Sequence, residues 1–318
     1  MKKFLLLCLL SVVASATAVL TPVDTIEVNG TAKDMVLHDN HLVIATDMGH
    51  IEVYDIASKQ KVKEIAIPDV KDFMGDVIPA RVMSTDAIGE KYLLLSDSGK
   101  GGYSDLYIYD HTLTQLLSAK DKKAIIKARF IDKTHVLLGY LSNEIALLDL
   151  TTKKERYKIQ LSESKFSDFA LNEDKTQAVF SCESGILSVV DVQSGKILKE
   201  LKGQNLDNVY KVDFKNGMVS GAGQDQRASL YDAASGKGSY IKGHFLIYAT
   251  ALSPSAEKAA FAMDEKNNIS IYNTSTKTKI VLLKGQKSTL NMIIFKDENK
   301  LFSASDDNIV MVWDLNQK

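Results

Sequence analysis

Apolar and polar positions alternate with a period of two along most of the chain, in runs of five to seven residues closed by turn residues. That is the pattern of half-buried β-strands, not of helices. One short run recurs seven times: alternating apolar residues, then an aromatic or aliphatic residue, then Asp or Asn. It reads Ile51-Glu-Val-Tyr-Asp55, Leu106-Tyr-Ile-Tyr-Asp110, Ile145-Ala-Leu-Leu-Asp149, Leu187-Ser-Val-Val-Asp191, Ala228-Ser-Leu-Tyr-Asp232, Ile269-Ser-Ile-Tyr-Asn273 and Val310-Met-Val-Trp-Asp314. The closing residues are separated by 55, 39, 42, 41, 41 and 41 positions. A beat this regular marks structural repeats, each too small to bury its apolar face alone. Within the fourth repeat the pattern predicts strands over 166–171, 176–182, 185–191 and 196–201; in the last it predicts 289–295, 300–305 and 309–313. Ser194-Gly195-Lys196 and Ser235-Gly236-Lys237 supply the tight turns of a meander, because glycine takes positive φ without steric cost.

The segment Ser303-Ala-Ser-Asp-Asp-Asn-Ile-Val-Met-Val-Trp-Asp314, and less closely Gly221-Ala-Gly-Gln-Asp-Gln-Arg-Ala-Ser-Leu-Tyr-Asp232, resembles the WD40 repeat. The resemblance implies an all-β, seven-bladed WD40-like β-propeller in which each blade is a four-stranded antiparallel sheet. It is diverged. The family's Gly-His pair occurs once, as Gly243-His244, Gly203-Gln204 and Gly285-Gln286 stand in the equivalent places, and Trp313 is the only tryptophan. The last repeat holds three strands before the chain ends, so its outer edge needs a partner. The alternating segment from Pro22 to Gly30 is the predicted fourth strand, closing the ring by pairing with the hairpin of the last blade.

The first residues read as an export signal: Lys2-Lys3, an apolar stretch Phe4 to Val13, and small residues at Ala14, Ala16 and Ala18. The expected signal peptide is 1–18, with cleavage after Ala18 and Ala16 as the second pattern, leaving 19–318 as the propeller. No later stretch approaches the roughly 20 apolar residues of a membrane span. Removing 1–18 takes two lysines and no acid, moving the formal net charge from −1 to −3. That balance speaks against nucleic-acid binding, which draws on a surplus of Lys and Arg. Cys8 leaves with the signal, so Cys182 has no partner for an internal disulfide and is expected as a small buried hydrophobe in a strand.

Chemistry is sparse. Of the six histidines, His38 and His41 bracket an Asp-Asn turn and none forms a metal-pair motif. Met48 and His50, placed in an exposed turn, are the one soft-metal pairing in the sequence, and no metal or other cofactor is expected. Ser98-Gly-Lys-Gly-Gly102 lacks the Walker spacing and reads as a hairpin tip, and Asp306-Asp307 reads as a structural turn. The irregularity that does carry information is the 55-residue first interval. Its extra length falls in Pro68–Pro79, between the first and second blades, and in the hairpin tip Ser96–Asp105. Propeller topology opens both on the same face, so they are expected to be neighbours. Insertions on a rigid scaffold mark binding surfaces. The candidate partner-binding residues are Lys71, Asp72, Phe73, Met74, Gly75, Asp76, Ser98, Lys100 and Tyr103, with Phe73 and Met74 either docking anchors or a small satellite core beneath the loop.

Lys71-Asp-Phe-Met-Gly-Asp76, Pro79-Ala-Arg-Val82 and Lys91-Tyr-Leu-Leu-Leu-Ser-Asp-Ser-Gly99 resemble the WD40-like accessory proteins encoded with the periplasmic nitrate reductase of some bacteria. The resemblance implies a periplasmic helper that supports assembly or activity of the reductase without itself holding a cofactor; the protein is expected to be a non-catalytic monomer acting through protein contacts. The alternative is a propeller enzyme or small-ligand binder, which should gather ionisable residues at the central channel.

Overall fold

The computed structural model describes residues 17–317, so nearly all of the expected signal segment lies outside the described residues. The chain is a seven-bladed β-propeller. Each blade is an antiparallel meander running from an inner to an outer strand: blade one is Ala32–His38, His41–Thr46, His50–Asp55 and Lys61–Ala66, and blade two Val82–Ile88, Lys91–Asp97, Ser104–Asp110 and Thr112–Leu117. In blade four the strands are Phe166–Leu171, Gln177–Cys182, Leu187–Asp191 and Ile197–Leu201, within two residues of the pattern reading throughout. Cys182 is buried on the second of these, as a free thiol. No helix among the described residues is long and apolar enough to cross a membrane.

Seven apolar clusters lie between blades rather than within them. Each draws its members from two adjacent blades, and the series runs unbroken around the molecule. An open arc of seven blades would have six such joints. The seventh, between blades seven and one, packs Phe302, Ala304 and Val310 against Leu42, Ile44 and Tyr54 and includes Ile26 and Val28 from the N-terminal segment. That segment closes the ring as expected: Asp24–Glu27 pairs antiparallel with Ile309–Asp314 as the outer strand of blade seven. A second contact was not foreseen. Ala18–Leu20 pairs in parallel with Lys279–Leu283, the outer strand of blade six, so the N-terminal segment ties two neighbouring blades together.

The recurrent terminal Asp has a local cause. Asp191 Oδ1 accepts from the backbone N–H of Ser194 at 2.8 Å and from its hydroxyl at 2.6 Å, and Asp232 does the same to Ser235 at 2.7 and 2.6 Å. Asp55 with Ser58 and Asn273 with Thr276 repeat both bonds, and Asp149 accepts the backbone N–H of Thr152. A short side-chain acceptor folds the chain back into the outer strand. In the last blade Trp313 Nε1 donates to Ser303 Oγ (2.8 Å), which donates to Gln286 Oε1 (2.8 Å). Gln286 thus serves where a WD40 blade would place histidine.

Candidate docking face and axial channel

Successive strands of a blade run in opposite directions, so the loops joining second to third strands, and outer strands to the next blade, share one face of the ring. The two irregular segments meet there. In the first, Val70–Lys71 and Val77–Ile78 pair as a two-stranded hairpin. Asp72 builds its tip: Oδ1 accepts the backbone N–H of Met74 and of Asp76, both at 2.9 Å, while its own N–H donates to the Asp76 carbonyl. Gly75, at φ +94°, makes the return. Phe73 and Met74 occupy the exposed crest of this turn, 93% and 72% accessible, so they are not a satellite core. Val77 and Ile78 extend the apolar surface down one arm.

The second segment braces the first. Gly99 (φ +65°) lies so close to Lys71 that an added Cβ would collide with the Lys71 carbonyl oxygen. Ser98 Oγ donates to the Tyr103 carbonyl at 2.8 Å, and Asp97 N–H donates to the Arg81 carbonyl, locking the base. Ser98 is therefore buried and spent on the hairpin, not offered to a partner, and Asp72 is half-buried for the same reason. Tyr103 is half-buried with its ring against Gly101, whereas Lys71, Phe73, Met74, Gly75, Asp76 and Lys100 face solvent. Gly99→Ala should cost about 1–2 kcal/mol through clash and positive φ and speed proteolysis within 70–78, detected by limited digestion; unchanged cleavage would show the hairpins to be independent.

Among the described residues, the exposed large hydrophobics divide by position. Val19, Val62, Leu198, Tyr240 and Ile280 lie on outer strands and Val23 beside one. Every one that lies in a loop is on this same face: Met48, Phe73, Met74, Val77, Ile78, Leu141 and Leu206. The opposite face carries the Asp-Ser turns. Met48 lies on the turn before Gly49, where an added Cβ would come into ordinary van der Waals contact with Ala80 at the end of the insertion. Val77 and Ile78 were legible as apolar residues in a loop; Leu141 and Leu206 gave no signal until the topology put them on one side.

Ionisable side chains also gather on the axis. The inner strands of blades one, three, four and five shift register before Asp34, Lys127, Asp168 and Lys211. Such bulges bend the strand and re-aim a side chain, and Lys127, Asp168 and Lys211 line the axial cavity with Arg129, Asp213, Thr250 and Met292. The charges are largely spent on one another. Arg129 grips Asp34 with two hydrogen bonds of 2.7 and 2.8 Å, and Lys127 Nζ is 2.6 Å from Asp168 Oδ1. Carboxylates also stitch blade to blade: Asp34 accepts Thr85 N–H (2.9 Å), Asp86 accepts Phe130 N–H (2.7 Å), Asp168 accepts Val212 N–H (3.2 Å) and Asp213 accepts Leu252 N–H (2.8 Å). Burial pushes Asp86 up, only partly offset by Arg129. Desolvation pulls Lys127 down despite Asp168. Lys211 has no ion-pair partner among the described residues. Ionisable residues at the central channel are what an enzyme or small-ligand binder would gather, and these residues do converge there.

No protein-family model matches the chain, and no curated protein does.

Proposed function

We propose that the protein is a non-catalytic interaction scaffold that docks a protein partner on the face carrying Phe73 and Met74. The observation that carries this reading is the pair of large apolar side chains held at the crest of a braced turn, on the one face where loop hydrophobics collect. A rigid anchor loses little conformational entropy on binding, and its mixed-charge surroundings, Lys71, Asp76 and Lys100, form a polar rim. Burying each anchor is worth about 1.5–3 kcal/mol. Phe73→Ala with Met74→Ala should therefore weaken partner binding by about thirtyfold or more while shifting stability by less than about 0.5 kcal/mol. Titration against the partner recovered from periplasmic extract, with a parallel thermal melt, checks both. Equal affinity in the double variant would remove this face from consideration.

The finer reading is an exported accessory factor of the periplasmic nitrate reductase system, of the NapL kind. It is supported by the resemblance over Lys71–Asp76, Pro79–Val82 and Lys91–Gly99, which overlaps the proposed docking region, and by the signal-like residues 1–18. Purified periplasmic nitrate reductase is the direct probe, and failure to bind it would reject this partner without touching the docking face.

One observation favours a second reading. Among the described residues Lys211 has no ion-pair partner in the axial cavity, where its ammonium would pair with a negative group of a small ligand, Lys127 beside it being already held by Asp168. Lys211→Met would abolish such binding and leave docking at Phe73 unchanged.

A further inference from the structure

We propose that His50, Glu52 and Glu64 form a binding site for a borderline divalent cation of the Zn²⁺ class, at the joint between blade one and the closing strand. His50 is not in an exposed turn, as its sequence context suggests: its side chain is 5% exposed, at the start of a strand. His50 and Glu52 are two residues apart and share a strand face, and Glu64 is the direct cross-strand partner of Glu52. The three offer ligand atoms that all lie within 4.8 Å of one another.

The imidazole sets up the site. His50 Nδ1 is 3.0 Å from the Met48 carbonyl oxygen, which can only accept, so Nδ1 carries the hydrogen. In the neutral ring Nε2 is then a lone pair. It is buried without a hydrogen-bond partner and lies 3.4 Å from Glu52 Oε1, also an acceptor. Two lone pairs facing each other away from water are unfavourable unless a positive species stands between them. A histidine whose second nitrogen donates to a backbone carbonyl is also the usual arrangement of a metal ligand.

The carboxylates point the same way. Like charges directly opposite on paired strands repel. Lys61 bridges them, with Nζ 3.2 Å from Glu52 Oε1 and 2.6 Å from Glu64 Oε2, but makes no contact with His50 Nε2. Tyr54 donates to Glu52 Oε2 at 2.6 Å, orienting the carboxylate. Zn–N and Zn–O bonds of about 2.0–2.2 Å put tetrahedral ligand atoms about 3.4 Å apart, already the His50–Glu52 separation. Glu64 is exposed and free to close the remaining gap as Lys61, itself 41% exposed, swings out. Oxygen-preferring Ca²⁺ has no use for the imidazole.

The site abuts the closing strand: Tyr54 OH, whose hydrogen goes to Glu52, lies 2.9 Å from the Glu27 carbonyl, and Asn29 N–H points at Glu52 Oε1 (3.4 Å). Cation binding should therefore tighten ring closure. The test is calorimetric titration of the tag-free protein with Zn²⁺ or Ca²⁺ alone, with thermal melts. Expected are one Zn²⁺ per chain, no Ca²⁺ heat, and a melting rise of about 5 °C at hundredfold excess over the dissociation constant. Glu64→Gln, an exposed change that leaves the fold intact, should weaken Zn²⁺ about tenfold or more, as should His50→Gln. Lys61→Met should strengthen it about tenfold by removing the resident ammonium. No Zn²⁺ heat in either wild type or Lys61→Met, or equal binding by Glu64→Gln, would overturn the proposal and leave a protonated His50 paired with Glu52.

Discussion

Deleting residues 19–30 should lower the melting temperature by about 10 °C or more and make the protein prone to association. Ile26 and Val28 are buried in the joint between blades seven and one, each worth about 1.5–3 kcal/mol. The deletion also removes the pairing of Asp24–Glu27 with Ile309–Asp314, the N–H donation from Val28 to Asn308 and the Glu27 carbonyl that packs beside Tyr54 OH. The sum, about 5 kcal/mol or more, is comparable with the whole stability of many domains. Two sheet edges, Ile309–Asp314 and Lys279–Leu283, become unpaired and available to other chains. Ile26→Ala is the milder version and should cost about 2–4 kcal/mol. A melt unchanged by the deletion would show that the ring holds without its clasp.

Arg129→Met should destabilise the protein by about 3–5 kcal/mol near neutral pH, because it strands the Asp34 carboxylate in the interior. Replacing Asp34 by Asn in the same chain should recover part of that loss, since the amide oxygen can still accept Thr85 N–H. The pH dependence has a definite sign. Burial alone would raise Asp34, but the Arg129 charge, then that of Lys127, and the hydrogen bonds from Arg129 and Thr85 outweigh it and hold the carboxyl below its ordinary 3.8. The wild type therefore draws stability from Asp34 above that unfolded value and loses it as pH falls through the lower folded one. Without Arg129 burial prevails, the folded value rises, and protonation relieves the strain. The stability gap between wild type and Arg129→Met should be widest near neutrality and narrow below about pH 4, as urea melts at several pH values would show. A gap independent of pH would mean that the pair is not the source of the cost.

The blades were legible because their determinants are local. Alternation, Ser-Gly turns and a terminal Asp that caps its own turn recur within a few residues, as at Asp191–Ser194 and Asp232–Ser235. Closure by Asp24–Glu27 followed from counting strands. What stayed hidden depends on residues distant in sequence. Lys127 and Arg129 sit in a strand whose register shift decides where they point, and their partners Asp168 and Asp34 are 41 and 95 positions away. His50 looks like a turn residue until the strand it opens buries it beside Glu52. Ser98 reads as an exposed tip residue because nothing in Ser98-Gly-Lys-Gly-Gly102 announces the carbonyl of Tyr103 that claims its hydroxyl. The parallel strand Ala18–Leu20 is only three residues long, and its partner lies some 260 positions on.

Placing a photo-crosslinking amino acid at the position of Phe73, and in a second strain at that of Ser235 on the opposite face, tests the docking face most directly. Irradiation of intact cells should yield a discrete adduct with one protein partner from position 73 and none from position 235. No adduct at 73, or the same adduct from both faces, would contradict the assignment of this face as the site where the propeller meets its partner.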